Sequence, residues 1–402
     1  MESIREIYKI GKGPSSSHTM GPKKAAEMFK ELCPQASSFL VILYGSLAAT
    51  GRGHLTDVAI TESLKGDSDK KVDIVWKPKE FLPQHPNGMT FRAFDGERNL
   101  ILEKTYFSIG GGDISENGKR NPAHDIYPYT TMKDILHWCN ENNTYFWEYV
   151  AKYEDPDIWD YLYEVWKVMQ AAIERGMDEE GVLPGGLNVR RKAYSYLQRA
   201  KSYQEFMKRR ALIFTYALAV SEENAAGGII VTAPTCGSSG TLPAVLRVIS
   251  RNYGYSDKKI INALATAGLI GSIVKENASV SGADVGCQGE VGTACAMASA
   301  AATQLFGGTP PQIESAASMG IEHFLGLTCD PVCGLVQIPC IERNAFAAAR
   351  AMDASLYSLM SDGRHMVYFA TVVEAMKQTG HDLPNLYKET AEGGLAFLVK
   401  NK

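Results

Sequence analysis

Three cysteines in glycine- and proline-rich segments are the residues best suited to metal chemistry. Cys287 lies within Gly286–Glu290, Cys329 follows 42 positions later and Cys340 another 11 positions on. This spacing lacks the close pairs of zinc fingers and bacterial ferredoxins. Three thiolates could hold three irons of a four-iron four-sulfur cluster and leave the fourth iron open to a substrate oxygen. Buried cysteine is also a common core residue, and on spacing alone Cys333 is an alternative to Cys329.

A serine-rich turn near the N-terminus is a candidate anion site. Residues 15–19 read Ser-Ser-Ser-His-Thr and precede Pro22 and the helical pattern of Lys23–Leu32. Free backbone N–H groups at a helix start, with hydroxyl groups beside them, bind carboxylates or phosphates. His18 could position a proton or bind the same anion. The alternative interpretation is a helix cap with unused hydroxyl groups.

His54 is a candidate general base, because it lies in a loop where Gly51 and Gly53 allow the backbone to approach a ligand. A solvated loop histidine is the other interpretation. Thr232–Gly240 resembles a phosphate-binding turn, and Lys275 is a lysine in an apolar run. These two segments keep a pyridoxal phosphate enzyme open as an alternative.

The elements that must position these residues fall into two regions. Short apolar runs predict strands over residues 38–44, 71–76, 89–94 and 99–109, so the first 120 residues or so are expected to be α+β. Helical periodicity follows in Lys133–Asn140, Phe146–Gly176 and Arg190–Val220. Six of the eight cysteines lie between Ile230 and Ala345, and Cys295, in an alanine-rich helical pattern, is predicted to be a core residue.

Composition narrows the class of protein. The 402 residues are 45% hydrophobic and 21% charged, which is typical of two or three globular domains. With 41 basic and 45 acidic residues and no basic block, nucleic acid is not an expected partner. Four charged residues among the first ten argue against a secretory signal, and the longest uncharged stretches contain Gly and Pro, so no membrane partner is expected. We predict a cytoplasmic protein with reduced thiols.

Taken in chain order, these segments resemble the iron-sulfur L-serine dehydratases, also called L-serine ammonia-lyases. The resemblance covers essentially the whole chain. The matching segments are Gly13–Thr19, Leu43–Leu47, Gly53–His54, His85–Asn87, Gly110–Gly112, Leu183–Leu187, Glu222–Gly228, Thr232–Thr235, Lys275–Ser279, Gly286–Gly292, Cys329–Val332, Gln337–Asn344, Lys388–Thr390 and Gly393–Ala396.

The resemblance implies a multidomain fold: an α+β domain of the serine dehydratase β type over residues 1–128, then a mostly α-helical iron-sulfur catalytic domain over residues 129–402. It implies a four-iron four-sulfur cluster with Cys287, Cys329 and Cys340 as ligands, which selects Cys329 over Cys333. The implied reaction converts L-serine to pyruvate and ammonia, with an open iron acting as a Lewis acid on the β-hydroxyl. A homodimer is implied as well.

Roles for single residues follow from the resemblance and from the chemistry together. We hypothesise that His54 removes the α-proton or protonates the departing hydroxide, and His18 is the second catalytic candidate. The expected substrate-binding residues are Ser15, Ser16, Ser17, Thr19, Asn87, Lys275, Asn277 and Arg343.

Two departures from the family pattern bear on the site. Cys236 stands where members of the family commonly have asparagine, so the substrate pocket is expected to differ slightly. No cysteine follows Gly393–Ala396, so we expect no tail thiolate to cap the site. The alternatives are a pyridoxal phosphate lyase that uses Lys275, a catalytically silent serine sensor, and a cluster enzyme that acts on threonine or cysteine.

Overall fold

The computed structural model describes residues 1–118 and 125–400. Its strands form a five-stranded sheet in the order β3-β2-β4-β5-β6 and a separate two-stranded pair of β1 with β7. Strands β2 and β3 are parallel, and the other neighbours in both sheets are antiparallel. The strands are β1 (Ile10–Lys12), β2 (Ser38–Tyr44), β3 (Lys71–Lys77), β4 (Gly88–Phe94), β5 (Leu100–Gly110), β6 (Asp113–Ser115) and β7 (Ile229–Val231).

The helices are α1 (Gly21–Leu32), α2 (Gly45–Thr50), α3 (Thr56–Lys65), α4 (Met132–Asn142), α5 (Phe146–Tyr153), α6 (Ile158–Asp178), α7 (Ala193–Ala200), α8 (Glu205–Ala225), α9 (Thr241–Tyr253), α10 (Asp257–Asn277), α11 (Gly282–Val285), α12 (Thr293–Leu305), α13 (Pro310–Glu322), α14 (Cys340–Leu359), α15 (Phe369–Asp382) and α16 (Gly394–Lys400). This arrangement confirms the predicted α+β region followed by a mostly helical one.

Two of the long helical patterns in the sequence are interrupted in the structure. The pattern over residues 146–176 divides into α5 and α6 at Pro156, which lacks the N–H that a continuous helix requires. The pattern over residues 190–220 starts later and divides at residues 201–204. There the hydroxyl of Ser202 donates to the carbonyl of Arg199. Such a bond from a side chain takes a carbonyl that the backbone N–H of a continuing helix could otherwise use.

An aromatic cluster supports the five-stranded sheet. Phe91 on β4 lies 5.3 Å from Phe29 of α1 and 5.8 Å from Tyr106 of β5, measured between ring centroids. All three side chains are fully buried. Helix α1 is therefore anchored to the sheet, and the serine-rich turn at its start takes its position from this contact.

Small residues allow the helical region to pack closely around α12. Nearly every residue of α12 is buried, including Cys295, whose predicted place in the core is confirmed. Gly320 of α13 lies so close to Ala296 that a Cβ would come within 2.6 Å of the Ala296 backbone. Among the helices within the described ranges, none has the combination of length and apolar character that a membrane crossing requires.

The first residues of the chain pack against the helical region rather than the sheet. Ile4, Ile7 and Tyr8 belong to the helical core, and the Tyr8 hydroxyl donates to the Leu264 carbonyl at 2.8 Å. Strand β1 then pairs with β7. The N-terminal arm therefore fixes the serine-rich turn, which follows it directly, against the helical region.

Removing the central ring of the aromatic cluster should destabilise the sheet. We expect Phe91→Ala to lower the free energy of unfolding by about 3–5 kcal/mol, because a buried phenyl group is replaced by a cavity. The control Val75→Ala, on a residue that is 39% exposed at the sheet edge, should cost less than about 1 kcal/mol. Chemical denaturation followed by circular dichroism measures both, and equal losses would contradict the assigned core.

Candidate active site

A single cavity brings the three cysteines, the serine-rich turn and His54 together where the two regions meet. The turn and His54 come from the α+β region, and the cysteines come from three separate segments of the helical region. The cavity is lined by Pro14, Ser15, Ser16, Ser17, His54, Gly111, Thr235, Gly237, Ser281, Gly282, Cys287, Glu290, Cys329, Pro331, Val336, Cys340 and Glu389.

The serine-rich turn has both a capping and a possible binding function. The Ser15 hydroxyl accepts a hydrogen bond from the backbone N–H of His18 at 3.1 Å, as a helix cap does. The Thr19 hydroxyl donates to the His54 carbonyl at 2.7 Å. Within the described residues, no hydrogen bond uses the hydroxyl of Ser16 or Ser17. These two hydroxyl groups can therefore accept or donate to a ligand in the cavity.

Two buried imidazole rings lie side by side behind this turn. The rings of His18 and His54 are 4.6 Å apart and nearly edge to face. His18 Nε2 lies 3.0 Å from the Ser46 hydroxyl, and His54 Nδ1 lies 3.3 Å from the Thr50 hydroxyl. Burial lowers the pKa of His18 to about 4, and burial together with the charge of His18 lowers the pKa of His54 well below 6.5. Both rings are therefore neutral near pH 7.

The three cysteines reach the cavity from different local structures. Cys287 precedes a π-helical turn over residues 288–292, and Cys340 is the first residue of α14. Cys329 lies in an extended segment whose backbone N–H donates to the Tyr387 carbonyl, and whose carbonyl accepts from the Glu389 N–H, each at 2.8 Å. Cys333 is exposed and is not among the residues that line the cavity.

Burial and mutual proximity disfavour negative charge on these thiols. Burial raises the pKa of Cys287 to about 11, and burial together with nearby acidic groups raises the pKa values of Cys329 and Cys340 well above 9.0. Arg343 opposes this effect. Burial would lower the pKa of Arg343, but the charges of Cys287, Cys340 and Asp330 raise it, and the guanidinium in turn opposes the rise in the pKa of Cys287 and Cys340.

Arg343 also fixes the loop that carries Cys329. Its guanidinium donates to the Thr328 carbonyl at 2.7 Å and to the Asp330 carboxylate at 3.2 Å. Asp330 in turn accepts a hydrogen bond from the backbone N–H of Leu395 at 2.8 Å, so the last helix is connected to the same loop.

The three thiols are sulfur donors of the kind that hold metal clusters. They line one cavity from separate segments, which suits a group in which each metal atom takes one thiolate. Within residues 1–118 and 125–400, no three His, Cys, Asp or Glu side chains are close enough together to hold a metal ion as they stand. Gly282 keeps the space beside the thiols open, since a Cβ there would lie 3.0 Å from Cys329 Sγ.

Two acidic residues at the cavity were not singled out from the sequence. Glu290 accepts a hydrogen bond from the Thr235 hydroxyl at 2.8 Å. Glu389 lies 3.9 Å from His18 Nδ1, and burial with the nearby charges of Glu290 and Asp284 raises its pKa to about 8. Glu290 is three residues after Cys287, which was an available signal, but the position of Glu389 depends on the pairing of its segment with Cys329.

Six predicted site residues are not among those that line the cavity: His18, Thr19, Asn87, Lys275, Asn277 and Arg343. The side chains of Asn87, Asn277 and Lys275 have partners elsewhere. The Asn87 side chain donates to the Ser108 carbonyl, and the Asn277 side chain donates to the carbonyls of Thr130 and Ile273. Lys275 forms ion pairs with Glu2 and Asp113 at 3.2 and 3.1 Å. The role of these three residues in substrate binding stays a prediction that this geometry does not support.

Cys236, the residue that departs from the family pattern, is buried with its sulfur 3.8 Å from that of Met20. Its neighbours Thr235 and Gly237 line the cavity, but Cys236 does not. Cys236 therefore packs behind the residues that line the cavity, and a difference in the substrate pocket stays a prediction.

Comparison with known proteins connects this geometry to a family. Residues 3–75 match the family model of the serine dehydratase beta chain, and residues 60–396 match that of the serine dehydratase alpha chain. An L-serine dehydratase of Streptomyces coelicolor is 42% identical over an alignment that takes in 99% of both chains. L-serine dehydratase 1 of Escherichia coli is 40% identical over all of both chains, and the enzyme of Helicobacter pylori is 35% identical over 99% of both.

The alpha-chain match alone covers more than half of the sequence, and the relatives are similar along their whole length. The chain therefore belongs to the serine dehydratase family, with the beta-chain and alpha-chain parts joined in one polypeptide.

Proposed function

We propose that this protein is an L-serine dehydratase that converts L-serine to pyruvate and ammonia. The observation that carries the proposal is the meeting of three thiols, the serine-rich turn and a neutral histidine in one cavity. The names of the full-length relatives support L-serine as the substrate. A four-iron four-sulfur cluster held by Cys287, Cys329 and Cys340 is part of the proposal.

Dehydration of serine requires loss of the α-proton and of hydroxide, which is a poor leaving group. When bound, such a cluster with one iron not held by a thiolate supplies a Lewis acid for the β-hydroxyl of serine. The chain supplies a cation to the site, because the Arg343 guanidinium lowers the pKa of Cys287 and Cys340 and so favours their thiolate form.

The serine-rich turn is proposed to hold the carboxylate of the substrate. Ser16 and Ser17 line the cavity at a helix start, where backbone N–H groups favour an anion, and no hydrogen bond within the described residues uses their hydroxyl groups. The Ser15 hydroxyl accepts the N–H of His18 and so fixes the turn, and the Thr19 hydroxyl donates to the His54 carbonyl. They therefore shape the site, while Ser16 and Ser17 make the contacts that orient the substrate.

His54 is proposed to remove the α-proton of serine. Its ring is neutral near pH 7, and its Nε2 atom has no hydrogen-bond partner in the described part of the chain. A neutral imidazole nitrogen with a free lone pair is able to accept a proton. His18, whose ring packs nearly edge to face against that of His54, is proposed to fix the orientation of the His54 ring. The enamine that leaves the site then hydrolyses to pyruvate and ammonia.

The remaining parts of the interpretation are also proposals. A division at residue 128, a homodimer and a cytoplasmic location fit the family resemblance, and the eight free thiols fit a reducing compartment. A pyridoxal phosphate lyase that uses Lys275 is less well supported, because two carboxylates already pair with this ammonium group outside the cavity lining.

The cysteine assignment predicts the metal content of single variants. Protein purified without oxygen should contain about four irons and four acid-labile sulfides per chain. Cys287→Ala, Cys329→Ala and Cys340→Ala should each lose most of both, together with L-serine-dependent pyruvate formation. Cys295→Ala in the core and Cys333→Ala on the surface should retain them. Full iron in the first three variants, or its loss in Cys333→Ala, would show that the ligand set is wrong.

The base assignment predicts a loss of turnover without loss of the cluster. We expect His54→Gln to lower kcat about 10²–10⁴-fold, which is the usual contribution of a general base, with iron content unchanged. His137→Gln serves as the control, because the His137 side chain is 72% exposed. Steady-state assay of pyruvate formation measures both, and near-normal turnover of His54→Gln would remove it from this role.

The carboxylate site predicts a change in KM. Ser16→Ala and Ser17→Ala should each raise KM for L-serine about tenfold, because a hydrogen bond to a charged group contributes about 1.5–3 kcal/mol. The effect on kcat should be smaller, since the contact is present before and during the reaction. Ser195→Ala, on an exposed helix, is the matched control. An unchanged KM in the double variant would argue against this turn as the carboxylate site.

A further inference from the structure

We propose that Thr50 is a positioning residue that holds the His54 ring with its proton on Nδ1, so that the Nε2 lone pair faces the cavity. This inference deepens the proposed function, because it rests on His54 as the base. It explains how a ring with two chemically similar nitrogens presents the correct one to the substrate.

The short helix α2 holds both imidazole rings. Ser46 and Thr50 are four residues apart and therefore lie on the same face of this helix. The Ser46 hydroxyl lies 3.0 Å from His18 Nε2, and the Thr50 hydroxyl lies 3.3 Å from His54 Nδ1. In the described residues, Thr50 is the hydrogen-bond partner of the His54 ring.

Counting protons assigns the direction of that hydrogen bond. A threonine hydroxyl has one proton, and that of Thr50 is donated to the Ser46 carbonyl at 3.1 Å. The oxygen of Thr50 is then an acceptor toward His54, so the proton between them belongs to Nδ1 of His54.

The other tautomer would leave a buried donor without a partner. His54 is 1% exposed, and its Nε2 has no hydrogen-bond partner among the described residues. A proton on Nε2 would therefore be unpaired, which is costly inside a protein, whereas a proton on Nδ1 has the Thr50 oxygen as its acceptor. Burial also keeps the ring neutral by lowering its pKa, so only one of the two nitrogens carries a proton.

Backbone hydrogen bonds and the neighbouring ring restrict the position of His54. Its carbonyl accepts from the Thr19 hydroxyl at 2.7 Å, and its N–H donates to the carbonyls of Thr50 and Gly51, each at 3.2 Å. The His18 ring packs against its edge. With the ring fixed, the protonation pattern decides whether the nitrogen at the cavity accepts a proton or donates one.

The test compares variants that differ only in this hydroxyl. Thr50→Val keeps the shape of the side chain, including the methyl group that lies against Gly334, and removes the hydroxyl. Thr50→Ser keeps the hydroxyl. Thr215→Val is the matched control, because Thr215 is also buried in a helix and donates to the carbonyl four residues earlier, at 2.8 Å, but contacts no imidazole.

Nitrogen NMR of protein labelled with ¹⁵N-histidine reads the tautomer directly, and His54→Gln identifies the His54 signals. Near pH 7 we expect the protein and Thr50→Ser to show His54 protonated on Nδ1, with Thr50→Val shifted toward the Nε2 form and Thr215→Val unchanged. In the assay, kcat of Thr50→Val should fall about 10–100-fold with little change in KM, as for other partners that orient a functional side chain. Thr50→Ser should recover most of this loss.

Three results would overturn the proposal: His54 protonated on Nε2 in the unaltered protein, an unchanged tautomer in Thr50→Val, or an unchanged kcat in that variant with a shifted tautomer. The spectrum of the unaltered protein decides the first even if Thr50→Val does not fold. The expected tautomer combined with full turnover of His54→Gln would instead disprove His54 as the base while leaving the Thr50 contact in place, so the two failures are distinguishable.

Discussion

Three thiols, the imidazole ring of His54 and two carboxyl groups line one cavity, and the buried ring of His18 packs behind His54. Charge on these groups must be balanced inside the protein, because little water reaches them. The direction of the pKa shifts follows from this constraint. The histidines are held neutral, the pKa of Glu389 is raised, and the thiols resist ionisation. Arg343 is the cation that the chain places beside the thiols, and the proposed cluster would supply the remaining positive charge.

Because the charged and polar groups of the site must be held away from water, the distant segments that carry them are joined to one another by packing and hydrogen bonds. The N-terminal arm packs into the helical core and pairs through β1 with β7 before the chain enters the serine-rich turn. At the other end, the segment that carries Glu389 pairs with Cys329, and α16 contacts Asp330 beside it. Because both ends of the chain are fixed to the helical region, the cavity has walls that position polar groups without exposing them to solvent.

Within the α+β region, hydrogen bonds hold both the backbone and the ring of His18 and of His54. Thr19 donates to the carbonyl of His54, and Thr56 donates to that of His18. Helix α2 supplies one hydroxyl to each ring. The segment that carries each histidine therefore binds the backbone of the other histidine, so the position of one ring depends on the position of the other.

The sequence alone determined the order of α+β and helical regions, most strand positions, the core location of Cys295 and the chemical types needed for the site. Those conclusions follow from local periodicity, residue size and motif order, which operate over short stretches of chain. Sequence spacing left Cys329 and Cys333 as alternatives until the family resemblance separated them, and only the fold turns the first toward the cavity and the second to solvent.

Only the tertiary structure decided which polar residues share the cavity. Glu389 reaches the cavity through backbone pairing with Cys329, sixty residues earlier in the chain. Lys275 instead pairs with the carboxylates of Glu2 in the N-terminal arm and of Asp113 at the start of β6. Such contacts depend on how separate elements pack against one another, and no periodicity within either segment encodes them. Residue types determined what chemistry was available, and packing determined where it is brought together.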